Sequence, residues 1–279
     1  MTYTPSCVHE AAVEAARAAG SFIARVFEDA AAGKALAVEE KHGHADIVTF
    51  ADREAEAIIR RILTERVPNS RILGEEGGWQ GEGEVTWYVD PIDGTSNFAS
   101  GLPWFCVSIG AHDANGQPIA AAIFDPVRGE MFSCQGGQLW LNGAPLVPAI
   151  RATADAQAEI LTNLPREGVL PTPEAMHWLG QIFAAFRGVR RLGSAALQLA
   201  WVAAGRAAIN YDEGCWPWDL SAGLQLVAAS GGQILAWERE TGQRLADPMA
   251  QLDRVARLVV TTPGYALESS VAVAPWSRH

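Results

Sequence analysis

The chain has 279 residues, of which 49% are apolar and 19% are charged. This balance is typical of a globular protein and excludes an intrinsically disordered chain, which combines low hydrophobicity with high net charge. The 32 acidic residues exceed the 21 basic ones, and the formal net charge of −11 disfavours binding to a nucleic-acid backbone. We therefore expect no nucleic-acid partner.

The four cysteines are widely spaced and form no C-x-x-C pair, so the sequence predicts neither a disulfide framework nor a zinc site. The first 20 residues lack the apolar stretch of a signal peptide. No segment has the roughly 18 consecutive apolar residues of a membrane span. These features predict a cytoplasmic protein without a membrane association.

Helical periodicity marks the first part of the chain. Apolar residues recur at helical spacing over residues 8–26 and again over residues 50–67, where Pro68 ends the pattern. Thr49 and Asp52 stand three residues apart at the start of the second predicted helix. This is the spacing of a capping box.

Strand patterns follow these two helices. The predicted strands are residues 71–73, 85–89, 105–112, 117–124, 131–133 and 138–141. The third and fourth are joined by a segment that contains Asn115-Gly116, which is typical of a hairpin turn. The first half of the chain is therefore expected to contain an antiparallel sheet.

From about residue 159 the strand and helix patterns alternate, which is typical of a second layered lobe. The predicted strands are residues 160–162, 189–192, 207–211 and 257–261, and helices are predicted within 173–186, 195–204 and 217–230. We predict two closely joined lobes: an N-terminal α+β lobe over residues 1–150 and a C-terminal α/β lobe over residues 151–279.

Residues 87–98 contain two carboxylates three residues apart at the end of an apolar strand. Pro91 interrupts regular strand pairing, so the chain can turn and place Asp90, Asp93 and the Ile92 carbonyl around one point. Oxygen ligands of this kind suit magnesium. Taken alone, however, an Asp-Pro-x-Asp segment is more typical of an ordinary turn.

Gly94 and Thr95 follow these carboxylates directly. Because Gly94 has no Cβ, backbone N–H groups can approach a phosphate closely there. A helical turn that begins near Thr95 would add free N–H groups, and the Thr95 hydroxyl would lie beside the carboxylates. The segment is therefore compatible with phosphate binding.

Five segments, in order along the chain, resemble the motifs of the inositol monophosphatase family. They are residues 46–52, Gly74-Glu75-Glu76, residues 90–98, Gly193-Ser194-Ala195-Ala196 with Tyr211-Asp212, and residues 218–223. Lys41 stands upstream of the first segment at the family's spacing, where a supporting electrostatic role is as plausible as an ordinary surface position. The resemblance covers about residues 41–232, and five ordered segments are far more specific than one short motif.

The resemblance implies a magnesium-dependent phosphatase with two or three Mg²⁺ ions per site. It implies metal ligation by Glu75, Asp90, the Ile92 carbonyl, Asp93 and Asp219. It implies that an activated water attacks phosphorus directly, with catalytic roles for Asp52, Glu75 and Thr95. It implies contacts to a small phosphorylated substrate by Gly94, Thr95, Ser96, Ser194, Ala195 and Asp212.

The resemblance also implies an α+β fold, a layered α-β-α-β-α sandwich, together with a homodimer and sensitivity to lithium. Inositol-1-phosphate is the favoured substrate. However, Asp212 stands where inositol-cleaving members usually have Glu, and Ser100 replaces a residue that is often His. Histidinol phosphate, fructose 1,6-bisphosphate and 3′(2′),5′-bisphosphate nucleotides therefore stay open as substrates, and a transcription-associated binding protein is the non-enzymatic alternative.

Each of these residues also has a purely structural interpretation. Asp52 can serve the capping box alone, and Glu75 can belong to a solvated acidic turn. Asp219 lies near a predicted helix start, where the helix dipole favours an acidic residue. Trp216 and Trp218 are interpreted as packing residues rather than as substrate contacts.

Overall fold

Two β-sheets organise the chain, and helices cover their outer faces and fill the space between them. The computed structural model describes residues 3–34, 36, 38–40, 47–166 and 172–275. Lys41 and Asp46, which belong to the resemblance described above, lie outside the described residues.

The larger sheet comes from the first half of the chain and has eight strands. They are β3 Ser70–Gly74, β4 Gly78–Gly81, β5 Val85–Asp93, β6 Cys106–His112, β7 Pro118–Asp125, β8 Glu130–Gln135, β9 Gln138–Leu141 and β10 Ala144–Pro145. Their order is β10-β9-β8-β7-β6-β5-β3-β4, and neighbours are antiparallel except β3 and β5. A separate antiparallel pair, β1 Val38–Glu40 and β2 Ile47–Thr49, precedes this sheet.

Two long helices, α1 Pro5–Ala31 and α2 Phe50–Arg66, cover one face of the large sheet. The Thr4 side chain caps α1 by accepting a hydrogen bond from the Cys7 N–H, and proline is well suited to the first helical position. The buried face of α1 is largely alanine. These small side chains allow the helix to pack closely against α2 and the sheet.

The smaller sheet comes from the second half of the chain and has five strands. They are β11 Glu159–Thr162, β12 Gly188–Arg190, β13 Ile209–Glu213, β14 Gln233–Glu238 and β15 Val255–Thr261. Their order is β12-β11-β13-β15-β14; β11 is parallel to β12 and β13, and the other pairs are antiparallel.

Three further helices complete the layers. α4 Pro173–Ala185 packs on the outer face of the small sheet, where Trp178 and Ile182 join its core. α5 Ala195–Ala203 and α6 Pro217–Ala229 lie between the two sheets. The layers are therefore α1 with α2, the large sheet, α5 with α6, the small sheet and α4, and the predicted α-β-α-β-α sandwich is confirmed.

The strands differ from the sequence prediction at several points, and the short strands β1, β2 and β10 were not predicted. β4 and β14 were not predicted, because neither shows a clear apolar alternation, and both lie at the edge of a sheet. The strand predicted over residues 85–89 is too short, since β5 continues to Asp93. A short helix, α3 Thr95–Ala99, follows β5 and begins where the sequence indicated a helical turn.

The layer between the sheets contains side chains from both halves of the chain, such as Ile123 and Leu220. The division into lobes at residue 150 therefore stays a prediction. Among the described residues, no helix combines the length and the apolar character needed to cross a membrane.

Candidate metal centre

Three carboxylates meet at the C-terminal end of β5, an interior strand of the large sheet. One oxygen from each of Asp90, Asp93 and Asp219 lies within 4.8 Å of the other two. Asp90 and Asp93 come from the end of β5, and Asp219 comes from the first turn of α6, more than 120 residues away in sequence. The two halves of the chain thus build this cluster together.

The end of β5 explains how two aspartates three residues apart reach one point. In a regular strand, residues three apart point to opposite faces of the sheet. The pairing of β5 with β6 shifts register between Asp90 and Asp93, and Pro91 lies within this irregular stretch. Such irregularities bend the strand and redirect side chains, and proline is tolerated there because the ladder is already broken.

Burial and mutual repulsion both act on these carboxylates. Burial raises the pKa of Asp90 and of Asp219 well above the usual aspartate range, and the neighbouring carboxylates, including Glu75, raise both further. The pKa of Asp93 is also raised by burial, against hydrogen bonds that lower it. A divalent cation would relieve this repulsion, so the cluster favours a cation at its centre.

Asp93 is held by the start of α5. The Ser194 hydroxyl donates to Asp93 Oδ2 at 2.6 Å, the Ala196 N–H donates to the same oxygen at 2.6 Å, and the Ala195 N–H donates to Oδ1 at 3.2 Å. Ser194 and Ala195 were predicted as substrate contacts. In the structure they lie against a member of the carboxylate cluster, which fixes its orientation.

Asp52 and Thr95 connect the cap of α2 to the turn after β5. The N–H and hydroxyl of Thr49 donate to Asp52 Oδ2 at 2.8 and 2.6 Å, which forms the predicted capping box. The Thr95 hydroxyl lies 3.0 Å from Asp52 Oδ1 and 2.9 Å from the Ile92 carbonyl oxygen. Asp52 therefore has both the structural role and a contact with the predicted catalytic hydroxyl.

Glu75 lies near the cluster without belonging to the three carboxylates that meet within 4.8 Å. Its loop is held by Glu56, a buried residue of α2 that the sequence analysis did not single out. Glu56 accepts hydrogen bonds from the N–H groups of Glu76 (2.8 Å) and Gly77 (2.9 Å), and from Arg60 (2.7 Å). Glu56 follows Asp52 by four residues, so both carboxylates lie on one face of α2. This spacing is the feature of the sequence that could have identified Glu56.

Gly94 adopts a φ of 101°, in the left-handed region that favours glycine. An added Cβ would lie 3.1 Å from the Trp104 carbonyl oxygen and 3.2 Å from that of Gly193. The chain can therefore pass tightly between these groups only without a side chain. Ser96 is half-buried in α3, two residues further on.

Asp212 is fully buried within a set of amide groups. Its carboxylate accepts hydrogen bonds from the Asn163 N–H (2.6 Å), Asn210 Nδ2 (2.9 Å) and Gln198 Nε2 (3.2 Å). Burial raises the pKa of Asp212 to about 7. Asp212 was predicted to contact the substrate, but in the structure its carboxylate lies inside the protein and accepts hydrogen bonds from internal donors.

The two tryptophans before Asp219 lie beside the cluster. The backbone N–H of Trp216 donates to Asp219 Oδ2 at 2.7 Å. The expectation that Trp216 is a packing residue is wrong, because 55% of its surface is exposed. Its ring stacks on that of half-buried Trp218.

The candidate metal ligands of the cluster are all carboxylate oxygen atoms, and hard cations such as Mg²⁺ prefer oxygen ligands. Asp90 and Asp93 are buried, Asp219 is partly buried, and the three carboxylates converge, so the cluster fits a divalent cation. The buried Cys106 thiol also contacts the cluster, because its Sγ lies 3.8 Å from Asp93 Oδ2.

Comparison with known proteins agrees with this geometry. The model of the inositol monophosphatase family matches residues 4–276, nearly the whole chain. The chain belongs to this family. The resemblance inferred from the motifs is thereby confirmed.

Proteins with two different names are similar to this chain. A protein from Xylella fastidiosa named Nus factor SuhB is 36% identical over 84% of this chain and 84% of its own length. An inositol-1-monophosphatase from Synechocystis is 34% identical over 91% of this chain and 89% of its own length. The structure of an inositol monophosphatase from Anabaena superposes with a TM-score of 0.74, at 29% identity over 95% of this chain and 94% of the other.

Proposed function

We propose that this chain is a Mg²⁺-dependent phosphatase that hydrolyses a small phosphorylated polyol. The observation that carries the proposal is the convergence of Asp90, Asp93 and Asp219 within 4.8 Å, in a member of the inositol monophosphatase family. A buried group of like charges costs free energy of folding, and a divalent cation that binds a phosphate would explain its presence.

The proposed ligands are Asp90, Asp93 and Asp219, with Glu75 and the Ile92 carbonyl oxygen. When bound, divalent cations lower the pKa of coordinated water and stabilise negative charge on the phosphate oxygens. Ser194 and the first turn of α5 keep Asp93 in the orientation that ligation needs.

Asp52 and Thr95 are proposed to receive the proton of the attacking water. The Thr95 hydroxyl accepts a proton from the water while its own proton passes to Asp52 Oδ1, 3.0 Å away. Asp52 Oδ2 is fixed by Thr49, so Oδ1 faces the hydroxyl. The water oxygen forms the new bond to phosphorus as the bond from phosphorus to the ester oxygen breaks. The departing alkoxide takes a proton from solvent water and leaves as the alcohol, and no phosphorylated side chain is needed.

Inositol-1-phosphate is the first substrate to test, which the name of the Synechocystis relative supports. Histidinol phosphate, fructose 1,6-bisphosphate and 3′(2′),5′-bisphosphate nucleotides are the alternatives. Gly94, Thr95 and Ser96 are the proposed contacts to the phosphate group, since they follow the metal-binding end of β5 directly. The homodimer and lithium sensitivity implied by the family are proposed as well.

A transcription-associated binding function is the second candidate, and the name Nus factor SuhB of the Xylella relative supports it. The buried carboxylate cluster favours the phosphatase, because a protein that only binds a partner has no need of it. A phosphate-release assay separates the two functions.

The test measures inorganic phosphate released from inositol-1-phosphate and the alternative substrates, with Mg²⁺ and with a chelator. We expect Mg²⁺-dependent release that Asp93→Asn abolishes, since an amide is a poorer ligand and cannot balance the cation's charge. Asp253→Asn removes an exposed carboxylate as the matched control. Release by Asp93→Asn at the level of the unmodified protein, or no release from any substrate, would refute the proposal.

A further inference from the structure

Trp216 combines exposure with a fixed position at the metal centre. It is one of the most exposed large apolar residues among those the structure describes, at 55%. Its backbone N–H donates a hydrogen bond to Asp219 Oδ2, which holds the Trp216 backbone beside the carboxylate cluster. The start of α6, directly after it, further fixes its backbone.

The ring of Trp216 is also oriented. It stacks on Trp218 with ring centroids 5.6 Å apart and an interplanar angle of 17°. The guanidinium of Arg239, an exposed residue, lies 5.8 Å from the Trp216 ring centroid, near the outer limit of a cation–π contact. More than half of the Trp216 surface stays exposed despite both neighbours, so a ligand ring can reach it.

We propose that Trp216 is a specificity-determining residue that stacks against a planar ring of the substrate, so that the site prefers phosphate monoesters bearing such a ring. Nucleoside monophosphates and imidazole-containing phosphate esters have this chemistry. The inference rests on the proposed phosphatase function, and among its substrates it favours the ring-bearing alternatives, histidinol phosphate and the bisphosphate nucleotides, over inositol-1-phosphate.

The physical basis is stacking on a surface that is already ordered. Aromatic rings attract one another in offset or stacked arrangements, and a ring held in place loses little entropy on binding. A phosphate bound at the carboxylate cluster would bring the rest of a small ester close to Trp216, because the Trp216 backbone N–H is bonded to Asp219. Base stacking on an aromatic side chain strengthens binding by about tenfold.

The chain contains a matched control for this residue. Trp79 is 56% exposed and lies on β4, at the edge of the large sheet. It also has a guanidinium over its ring, that of Arg71, at 5.1 Å from the centroid. Trp79 thus reproduces the exposure and the cation–π contact of Trp216 without its bond to the cluster.

The experiment compares kcat/KM for adenosine 2′-monophosphate with kcat/KM for glycerol 2-phosphate, which has no ring. We expect Trp216→Leu to lower the ratio of these two values about tenfold, mainly through KM. Trp216→Phe should restore most of the ratio, because it keeps an aromatic face. Trp79→Leu should leave the ratio as in the unmodified protein.

An unchanged ratio in Trp216→Leu would overturn the inference while leaving the phosphatase function intact. The proposed function would fail only if the unmodified protein released no phosphate from these two esters or from any substrate of the panel in the preceding subsection. Calorimetric binding of adenosine 2′-monophosphate in Mg²⁺ would then decide the role of Trp216. Equal affinity of the unmodified protein and Trp216→Leu, with circular dichroism showing both folded, would refute stacking.

Discussion

The Ser194 hydroxyl donates a short, buried hydrogen bond to a carboxylate of the cluster. This bond stabilises the charged form of Asp93 and opposes the effect of burial on its pKa. We predict that Ser194→Ala raises the Mg²⁺ concentration needed for half-maximal activity by about 10- to 100-fold, since partners of metal ligands have effects of this size. The measurement is phosphate release over a Mg²⁺ titration.

A change in the substrate KM at saturating Mg²⁺, with an unaltered Mg²⁺ requirement, would instead support the substrate contact expected from the family. The control is Ser230→Ala, which removes a hydroxyl bonded to the Val227 carbonyl at 2.7 Å at the end of α6. It should leave the Mg²⁺ titration unchanged.

At the residue scale, short spacings were the informative signal. The capping box of Thr49 and Asp52 was predicted because its partners are three residues apart. The contact of Ser194 with Asp93 was not, because it joins residues 101 apart that meet only after α5 packs against the large sheet. The burial of Asp212 among internal donors was not predicted for the same reason, since the backbone N–H of Asn163, which donates to it, is 49 residues away.

Helix α2 supports the site through two residues on one face, Asp52 and Glu56. Glu56 and Arg60 form a buried ion pair that also binds the backbone of residues 76–78. We predict that Glu56→Gln lowers the free energy of unfolding by about 3–5 kcal/mol, because it leaves the Arg60 charge buried without its partner. It should also weaken Mg²⁺ binding, because the Glu75 loop loses its anchor. Urea unfolding and a Mg²⁺ titration measure the two effects.

The same helix provides the control. Arg61 and Glu65 form an ion pair at the same four-residue spacing, but both side chains are about 60% exposed. Exposed pairs contribute about 0–1 kcal/mol, so Glu65→Gln should change little. Similar losses in both variants would show that the effect comes from the helix surface rather than from the buried anchor.

At the element scale, helices and long strands were predicted better than short edge strands. α2 was expected at 50–67 and spans Phe50–Arg66, because an apolar stripe and a cap both define it. β4 consists of Gly-Trp-Gln-Gly, and its glycines disfavour a strand in isolation. It forms because β3 offers an open edge for pairing. The β5 irregularity likewise depends on pairing with β6.

The whole molecule concentrates acidic groups where its two halves meet. Both Asp90 and Asp93 come from the large sheet, while Asp212 and Asp219 come from the region around the small sheet and α6. Assembly of the layers thus buries Asp90, Asp93 and Asp212 and partly buries Asp219, in a chain whose formal net charge is already −11. Folding without a cation therefore opposes their ionisation.

This burial makes the stability of the metal-free protein depend on pH. The folded-state pKa values of Asp90, Asp93, Asp212 and Asp219 are raised, that of Asp212 to about 7. A group of this kind stabilises the fold fully below its unfolded pKa, and the stabilisation is lost as the pH rises through the folded pKa. Buried His112 acts oppositely, since burial lowers its pKa, but its effect ends above the ordinary histidine pKa of about 6.5.

We therefore predict that, in a chelator, the melting temperature falls as the pH is raised from about 6.5 to about 8, a range above histidine titration and below thiol titration. Mg²⁺ binds the ionised carboxylates, so the increase in melting temperature that it produces should grow over the same range. Asp90→Asn, which removes one titrating group, should flatten the decline in chelator and reduce the gain from Mg²⁺. Scanning calorimetry at matched ionic strength measures both trends. A melting temperature that stays constant or rises with pH in chelator would contradict the raised pKa values of the cluster.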